Sequence, residues 1–335
     1  MAEGLLSLAP GRRKSNLLAM IVLAVTVALI IVFSIAVDGF ATVGNLRVIL
    51  SNSASLVILS CGMGVVIISR GLDLSLIAQM VAGATVFSIM INAGAPGSLA
   101  LLVAVATMVL VGMMNAWLIA YVEIPALLAT LASAMFITGL FRFFILRGEY
   151  LLLLPKTNPA VIFLSSELLP GVSAPVALMF VALASAWFLL RRMSAGRTIY
   201  AMGDNFQAAR LSGLPVRTTT IIVYVYAALA ALMAGLVMSS ASGTVDFRTV
   251  TNGTLLFEVI LVVVLGGIPL RGGRGGIWNI LVGVALIVVL RNGMTLLNVT
   301  AQTQDVVKGV VLIVAIVTDN YLNPRDTETD TVGDL

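Results

Sequence analysis

The sequence predicts an all-α, polytopic integral membrane protein, and three features carry that prediction. Hydrophobic residues fill 60% of its 335 positions and charged ones only 10%, with a mean hydropathy of +1.12, beyond what a water-soluble fold of this length shows. Apolar runs recur along the chain at about the 20 residues a helix needs to cross a bilayer. Lysines and arginines gather in alternate connections between those runs, which is the bias that orients membrane helices.

The first run, 17–37, follows the basic stretch GRRKS. It is longer than a signal-peptide core and no small-residue cleavage pattern follows, so it reads as a retained span. Further runs at 48–69, 74–92, 98–121, 125–147, 174–190, 218–239, 255–270, 277–297 and 305–321 bring the expected count to about ten spans. Residues 1–16 are then a cytoplasmic N-terminal segment and 17–322 the transmembrane domain. The polar tail NPRDTETDTVGDL, 323–335, reads as disordered and dispensable.

With the N-terminus inside, cytoplasmic segments hold Arg12, Arg13, Lys14, Arg70, Arg191, Arg192, Arg197, Arg210, Arg217, Arg271, Arg274 and Arg325, whereas external loops hold only Arg47, Lys156 and Arg248. Arg142, Arg147, Arg291 and Lys308 fall in or at the ends of spans and do not discriminate. An even span count keeps both termini cytoplasmic. The long polar interruption at 191–217 is then cytoplasmic, and the one at 148–173, with Pro155, Pro159 and Pro170, is external.

The cytoplasmic interruption contains GRTIYAMGDNFQAARLSGLPV, 196–216. Asp204 or Asn205 suits an N-cap, FQAARLS a helix of about two turns, Gly213 the left-handed position after it, and Pro215 blocks continuation. So short a helix is marginal in water and needs packing or a partner. Phe206, Ala209, Leu211 and Leu214 offer apolar contacts beside Arg210. Spacing alone leaves two readings open, a loop folded onto its own protein and a partner-bound helix. The arginines also suit anionic lipid.

Enzyme chemistry finds no foothold. No Gly-rich phosphate loop ends in lysine, and Lys14, Lys156 and Lys308 all lack that setting. The chain has no histidine and one cysteine, Cys61, which reads as packing within a span; a His-containing metal cluster, an internal disulfide and a Ser-His-Asp triad are all excluded. The chain is expected to bind no metal or cofactor, and any ATP to be used by a partner subunit.

Ionisable residues inside spans are costly and raise functional suspicion. Glu258 in LLFEVILVVVLGG either meets a hydroxylated solute or pairs with Arg248, Arg291 or Lys308. Asp73 in SRGLDLS stands at or near the N-cap of the third span, with Ser75 beside it. The stretch LGGIPLRGGRGGIWN crowds Gly266, Gly267, Gly272, Gly273, Gly275 and Gly276 around Pro269, Arg271 and Arg274. It is a tight, hinge-capable turn, or a turn whose glycines let spans pack closely.

On these motifs the chain resembles the permease subunits of bacterial ABC importers for ribose and related monosaccharides. Their coupling pattern is matched at Gly196, Arg197, Tyr200, Ala201, Gly203, Asn205, Ala208, Ala209, Leu211, Ser212 and Gly213, and the likeness continues at GMGVVIISRGLDLS, EIPALLATLASAMFITG and FEVILVVVLGGIPLRGGRGGIWNILVG. The resemblance implies the ABC importer permease fold in the bacterial inner membrane. It also implies a coupling segment seated on a separate ABC ATPase subunit, an external solute-binding protein that delivers a pentose, hexose or polyol, and a second permease subunit forming a homodimer. Lipid is a further partner; no nucleic acid is expected. The segment 148–173 would be a docking surface for the binding protein, a closure lid or a connector.

Two departures stand out. Arg70 replaces a small residue, and Thr138 in FITG replaces an arginine, for which Arg142, one turn later on the same helical face, is a candidate substitute. Phe136, Phe141, Phe143 and Phe144 surround it and could stack on a sugar ring or simply meet lipid and core. The translocation path is thus expected near Asp73, Thr138, Arg142 and Glu258. A proton-coupled transporter using Glu258 or Asp73, a structural or signalling membrane component, and a permease for branched-chain amino acids are the alternative classes.

Overall fold

A computed structural model describes residues 10–169 and 171–322. The tail at 323–335, Pro170 and the first nine residues of the N-terminal segment lie outside the described residues. Helix α1, Pro10–Ala36, already begins within the stretch expected to precede the first span.

Among the described residues, seven helices are long and apolar enough to cross a membrane. They are α1 through its Leu17–Ala36 part, α2 (Val43–Ile68), α4 (Gly97–Ala120), α5 (Ala126–Leu140) with its extension to Ile145, α7 (Ala174–Arg191), α10 (Val216–Ser242) and α13 (Ile277–Leu296). The other three predicted runs are helical too. However, α3 (Leu76–Asn92) has only 17 residues and α12 (Thr254–Leu265) only 12, while α14 (Ala301–Leu322) carries Asp305 and Lys308 in its first turns.

Local chemistry accounts for the shortened elements. Helix α2 ends at Ile68, and Arg70 adopts φ +70° while the Gly71 amide donates back to the Val66 carbonyl at 2.9 Å, a helix-stop geometry usually assigned to glycine. The chain then runs without helix to Ser75, so α3 begins two residues later than the third run was expected to. Helix α12 starts abruptly at Gly253, φ +69°, and ends at Gly266.

Helix α2 is buried on all sides over its inner two-thirds and packs against α7, α10, α12 and α13. Such all-round burial marks a central helix. Helix α10 lies against α2, α3 and α4. At Gly112 of α4 a side chain would strike the backbone of Tyr224 and Val225, so the absence of one lets these helices meet backbone to backbone. Helices α1, α4 and α5 leave most of their apolar surface outward, as lipid-facing helices do.

The connections sort to two ends. At one, the end of α2, the α4–α5 turn at 121–125, the short helices α8 (Ser194–Asp204) and α9 (Phe206–Leu211), and the glycine-rich turn at 266–276 touch one another. At the other, β1 (Leu151–Leu153) pairs antiparallel with β4 (Thr244–Asp246), Leu151 opposite Asp246. The Leu154 amide donates to the Gly243 carbonyl, and Asn92 Nδ2 donates to the Leu153 carbonyl. Helix α6 (Pro159–Ser165), capped by Asn158, and the small β2–β3 pair (Glu167–Leu169, Val172–Ser173) complete that end with α11 (Arg248–Asn252). The interruption at 148–173 is therefore folded onto the helix ends.

Candidate functional site

The interruption at 191–217 folds into a helical pair. Asn205 is the N-cap of α9, its Oδ1 accepting the Ala208 amide at 2.9 Å; Asp204 is the last residue of α8 instead. Ser212 ends α9, Gly213 takes φ +74°, and the Leu214 amide reaches back to the Ala209 carbonyl, so the glycine stop forms where the sequence placed it. Pro215 stands just beyond that stop, as the N-cap of α10. The interruption at 191–217 is correspondingly shorter, because Arg191 closes α7 and Val216 opens α10.

The faces of this pair differ sharply. Met202, Ala209 and Val216 form a small buried core, with Ala201, Phe206 and Leu214 packed against it. Leu211, expected among the packing residues, is instead 87% exposed. Arg210 reaches Glu123 at 3.4 Å, and Arg217 reaches the same carboxylate at 3.7 Å. The pair is thus tied to the α4–α5 turn, while Leu211 and Arg197 face outward.

Helix α8 joins the two motifs that sequence reading had kept separate. Tyr200 Oη donates to the Gly275 carbonyl at 2.8 Å, and the Gly273 amide donates to the Ile68 carbonyl at 2.9 Å. A side chain at Gly203 would collide with the Ile68 carbonyl and the Gly273 backbone, and one at Gly196 with the Leu189 and Leu190 carbonyls. Gly267, Gly272 and Gly273 all hold φ near +75° to +88°, a region glycine enters without strain. At Gly266 a side chain would meet the Asn279 carbonyl, and Asn279 Nδ2 donates to the Gly266 carbonyl at 2.6 Å. The glycine-rich turn is a packed junction between the end of α2, α8 and the α12–α13 crossing.

The ionisable candidates separate. Asp73 is fully buried, and its Oδ1 accepts the Ser75 amide and hydroxyl while Gln79 Nε2 donates to Oδ2 at 3.0 Å. Asn115 of α4 donates to the Ser75 hydroxyl, Ser133 of α5 donates to Asn115, and the Leu74 amide donates to Thr130. Asp73 therefore sits near the cap of α3, as expected, but inside a polar network spanning three helices. Glu258, 7% exposed, lies 3.6 Å from Arg291 and 3.4 Å from Lys308. Arg248, the third partner considered, pairs with Asp246 at 3.1 Å instead.

Thr138 satisfies its hydroxyl on the Ala134 carbonyl within α5. Arg142 does not join it: α5 passes into a π-helical turn, Phe141–Ile145, and the guanidinium stacks 3.8 Å over the Tyr150 ring. Phe136, Phe143 and Phe144 face outward, and the buried Phe141 stacks on Phe247. Sequence reading missed α8, whose signal was Ala195, Ile199 and Met202 at helical spacing, all buried. It also missed Glu123, Gln79, Asn115, Thr130 and Ser133, for which a lone polar residue in an apolar run was the only trace.

A multi-pass helical bundle with a helical pair packed at its basic end defines a class, a polytopic membrane protein. Residues 45–316 match the family described as branched-chain amino acid transport system / permease component, and the chain belongs to this family. It is 30% identical to the ribose import permease protein RbsC of Escherichia coli (strain K12), over 90% of this chain and 92% of that protein. It is equally similar, at 30%, to the L-arabinose transport system permease protein AraH of Escherichia coli (strain K12), over 89% of each chain. The autoinducer 2 import system permease protein LsrC of Escherichia coli (strain K12 / DH10B) is also 30% identical, over 89% of this chain and 87% of that protein. The chain is thus a permease of the ribose-importer type, and its relatives are transport proteins, not enzymes. No solved structure matches it.

Proposed function

We propose that the chain is the membrane-spanning subunit of an ATP-driven importer for a hydroxylated, sugar-like solute in the bacterial inner membrane. A separate ATPase hydrolyses the ATP, an external binding protein delivers the solute, and two copies of this permease pair so that two α9 helices meet two ATPase subunits. About ten spans are counted by including α3, α12 and α14, because the connections alternate between the two ends only if these also cross. The basic end is cytoplasmic, and with it both termini. The sugar relatives favour a sugar over an amino acid. The Arg291 and Lys308 partners of Glu258 speak against that carboxylate as the free proton carrier of a secondary transporter.

The observation that carries this reading is Leu211. An exposed leucine on a six-residue helix, capped at both ends and buried on its other face, is suited to fill a groove on a partner. Closure of the ATPase dimer on nucleotide would push α9. The packed junction of Gly203, Gly273 and Ile68 would pass that displacement to α2, and spans would tilt as bodies. The Leu211→Glu variant tests this, since the side chain contributes nothing to the permease core. We expect normal membrane insertion and thermal stability with co-purification of the ATPase lost; retained co-purification and uptake would contradict the role given to α9.

A further inference from the structure

A second polar region, away from the coupling end, lies under the β1–β4 pair. A cavity of about 230 Å³ opens there between α3, α10, β4 and α11. It far exceeds the about 10–15 Å³ one water needs, and it approaches the lower end of small-molecule sites, about 300 Å³. One wall is apolar, from Met80, Val81 and Ala84 of α3 and Met238 of α10. The other is polar, from Ser242, Asp246 and Thr249.

Its polar groups are not all occupied by the fold. Asp246 Oδ1 accepts the backbone amide and Nε of Arg248. Among the described residues, Asp246 Oδ2 and the Thr249 hydroxyl have no hydrogen-bond partner. The inner limit is set by Gly235, where α10 touches the Met80 carbonyl so closely that a side chain could not be accommodated. The outer limit is β4 itself, held by its pairing with β1 and by the Leu154 amide on Gly243. A chamber with one apolar wall that includes two flexible methionines, and a facing wall that offers an unoccupied carboxylate oxygen and a hydroxyl, matches a compact polyhydroxylated ring, which presents C–H on its faces and O–H at its edges.

We propose that this cavity is a solute station at the external end of the permease, where Asp246 Oδ2 accepts a hydrogen bond from a hydroxyl of a monosaccharide and Thr249 hydrogen-bonds a further hydroxyl. Passage inward then requires α3 and α10 to part at the Met80–Gly235 contact. The β1–β4 pair is the roof under which the solute enters. The inference rests on the permease reading above and adds the place and the residues of recognition.

The test is uptake of labelled pentoses, hexoses and polyols into proteoliposomes holding the full permease with its ATPase and binding protein. The wild type is compared with Asp246→Asn, Thr249→Val and Ala84→Leu. Asp246→Asn retains an oxygen for the Arg248 amide, and Ala84→Leu fills the chamber from its apolar wall. Co-purification with the ATPase and the thermal midpoint are measured for each variant. The expected result at low solute is about a tenfold or greater loss of uptake for Asp246→Asn, the order expected for one lost hydrogen bond to a charged group, a loss of about threefold to tenfold for Thr249→Val, which removes a neutral one, and a marked loss for Ala84→Leu through lost volume, with assembly unchanged. For Asp246→Asn and Thr249→Val, saturating solute restores the rate. Wild-type uptake of a sugar with all three variants equally active overturns the station and leaves the permease reading intact. A wild type that takes up none of the panel under ATP overturns both.

Discussion

Glu258 began as either a solute ligand or a helix clamp, and its surroundings favour the clamp. It is buried in α12, with one cation from α13 and one from α14 within 3.6 Å. Removing one member of a buried pair leaves charge uncompensated and costs about 3–5 kcal/mol, less where another partner remains. Lys308 keeps Asp305 at 2.8 Å, so Glu258→Gln is expected to destabilise by about 2–3 kcal/mol, read as a lowered thermal midpoint in detergent. Adding Arg291→Met to that variant removes the cation left without a partner and should recover much of the loss along with uptake. A stable single variant without uptake would point instead to a solute-contacting role. The sequence made Glu258 conspicuous because a carboxylate in an apolar run needs a reason. It left three cations as possible partners, since helix neighbours do not follow from one strand of text. The same limit hid the link from Asp73 to Asn115 and Ser133, residues 42 and 60 positions away (115 − 73; 133 − 73).

The α8–α9 pair shows which parts of an element are legible. Its caps and stop are local chemistry, and Asn205, Ser212 and Gly213 took the places their side chains and backbone freedom dictate. Asn205→Ala should cost about 1 kcal/mol of local stability, visible as faster amide exchange in α9 with the bundle unaffected. The seat of α8 was not legible, because it depends on Gly203 meeting Ile68 and Gly273 across two other connections. A methyl group there has no space, so Gly203→Ala is expected to lower the midpoint by an overpacking cost of about 1–3 kcal/mol or more and to reduce coupled ATPase activity. Unchanged stability and coupling would show that the junction transmits nothing. The π-helical turn after α5 is a similar case: the one-turn spacing of Thr138 and Arg142 assumed a regular helix, and the irregular turn together with Tyr150 drew the arginine elsewhere.

Across the chain, apolar run length located every helix of the bundle, because burying backbone polar groups in lipid leaves little alternative to helix. It overestimated the helical length by two residues at the third run, where Leu74 and Ser75 stay outside α3, and by more at the eighth, where α12 stops at Leu265 and Gly266 and Gly267 break it before Leu270. The fully buried Cys61 makes the topology testable, since single cysteines placed at Leu211 and at Lys156 would be the reactive ones. An impermeant maleimide added to intact cells should label the latter and spare the former. Labelling of both, or the reverse pattern, would contradict the orientation. The central claim is that this permease moves its solute only when a separate ATPase pushes it. The most direct measurement is uptake of a labelled monosaccharide panel into proteoliposomes with ATP, the ATPase and the binding protein each supplied or withheld. Uptake that needs all three is the predicted result; uptake by this chain alone under a proton gradient would contradict it.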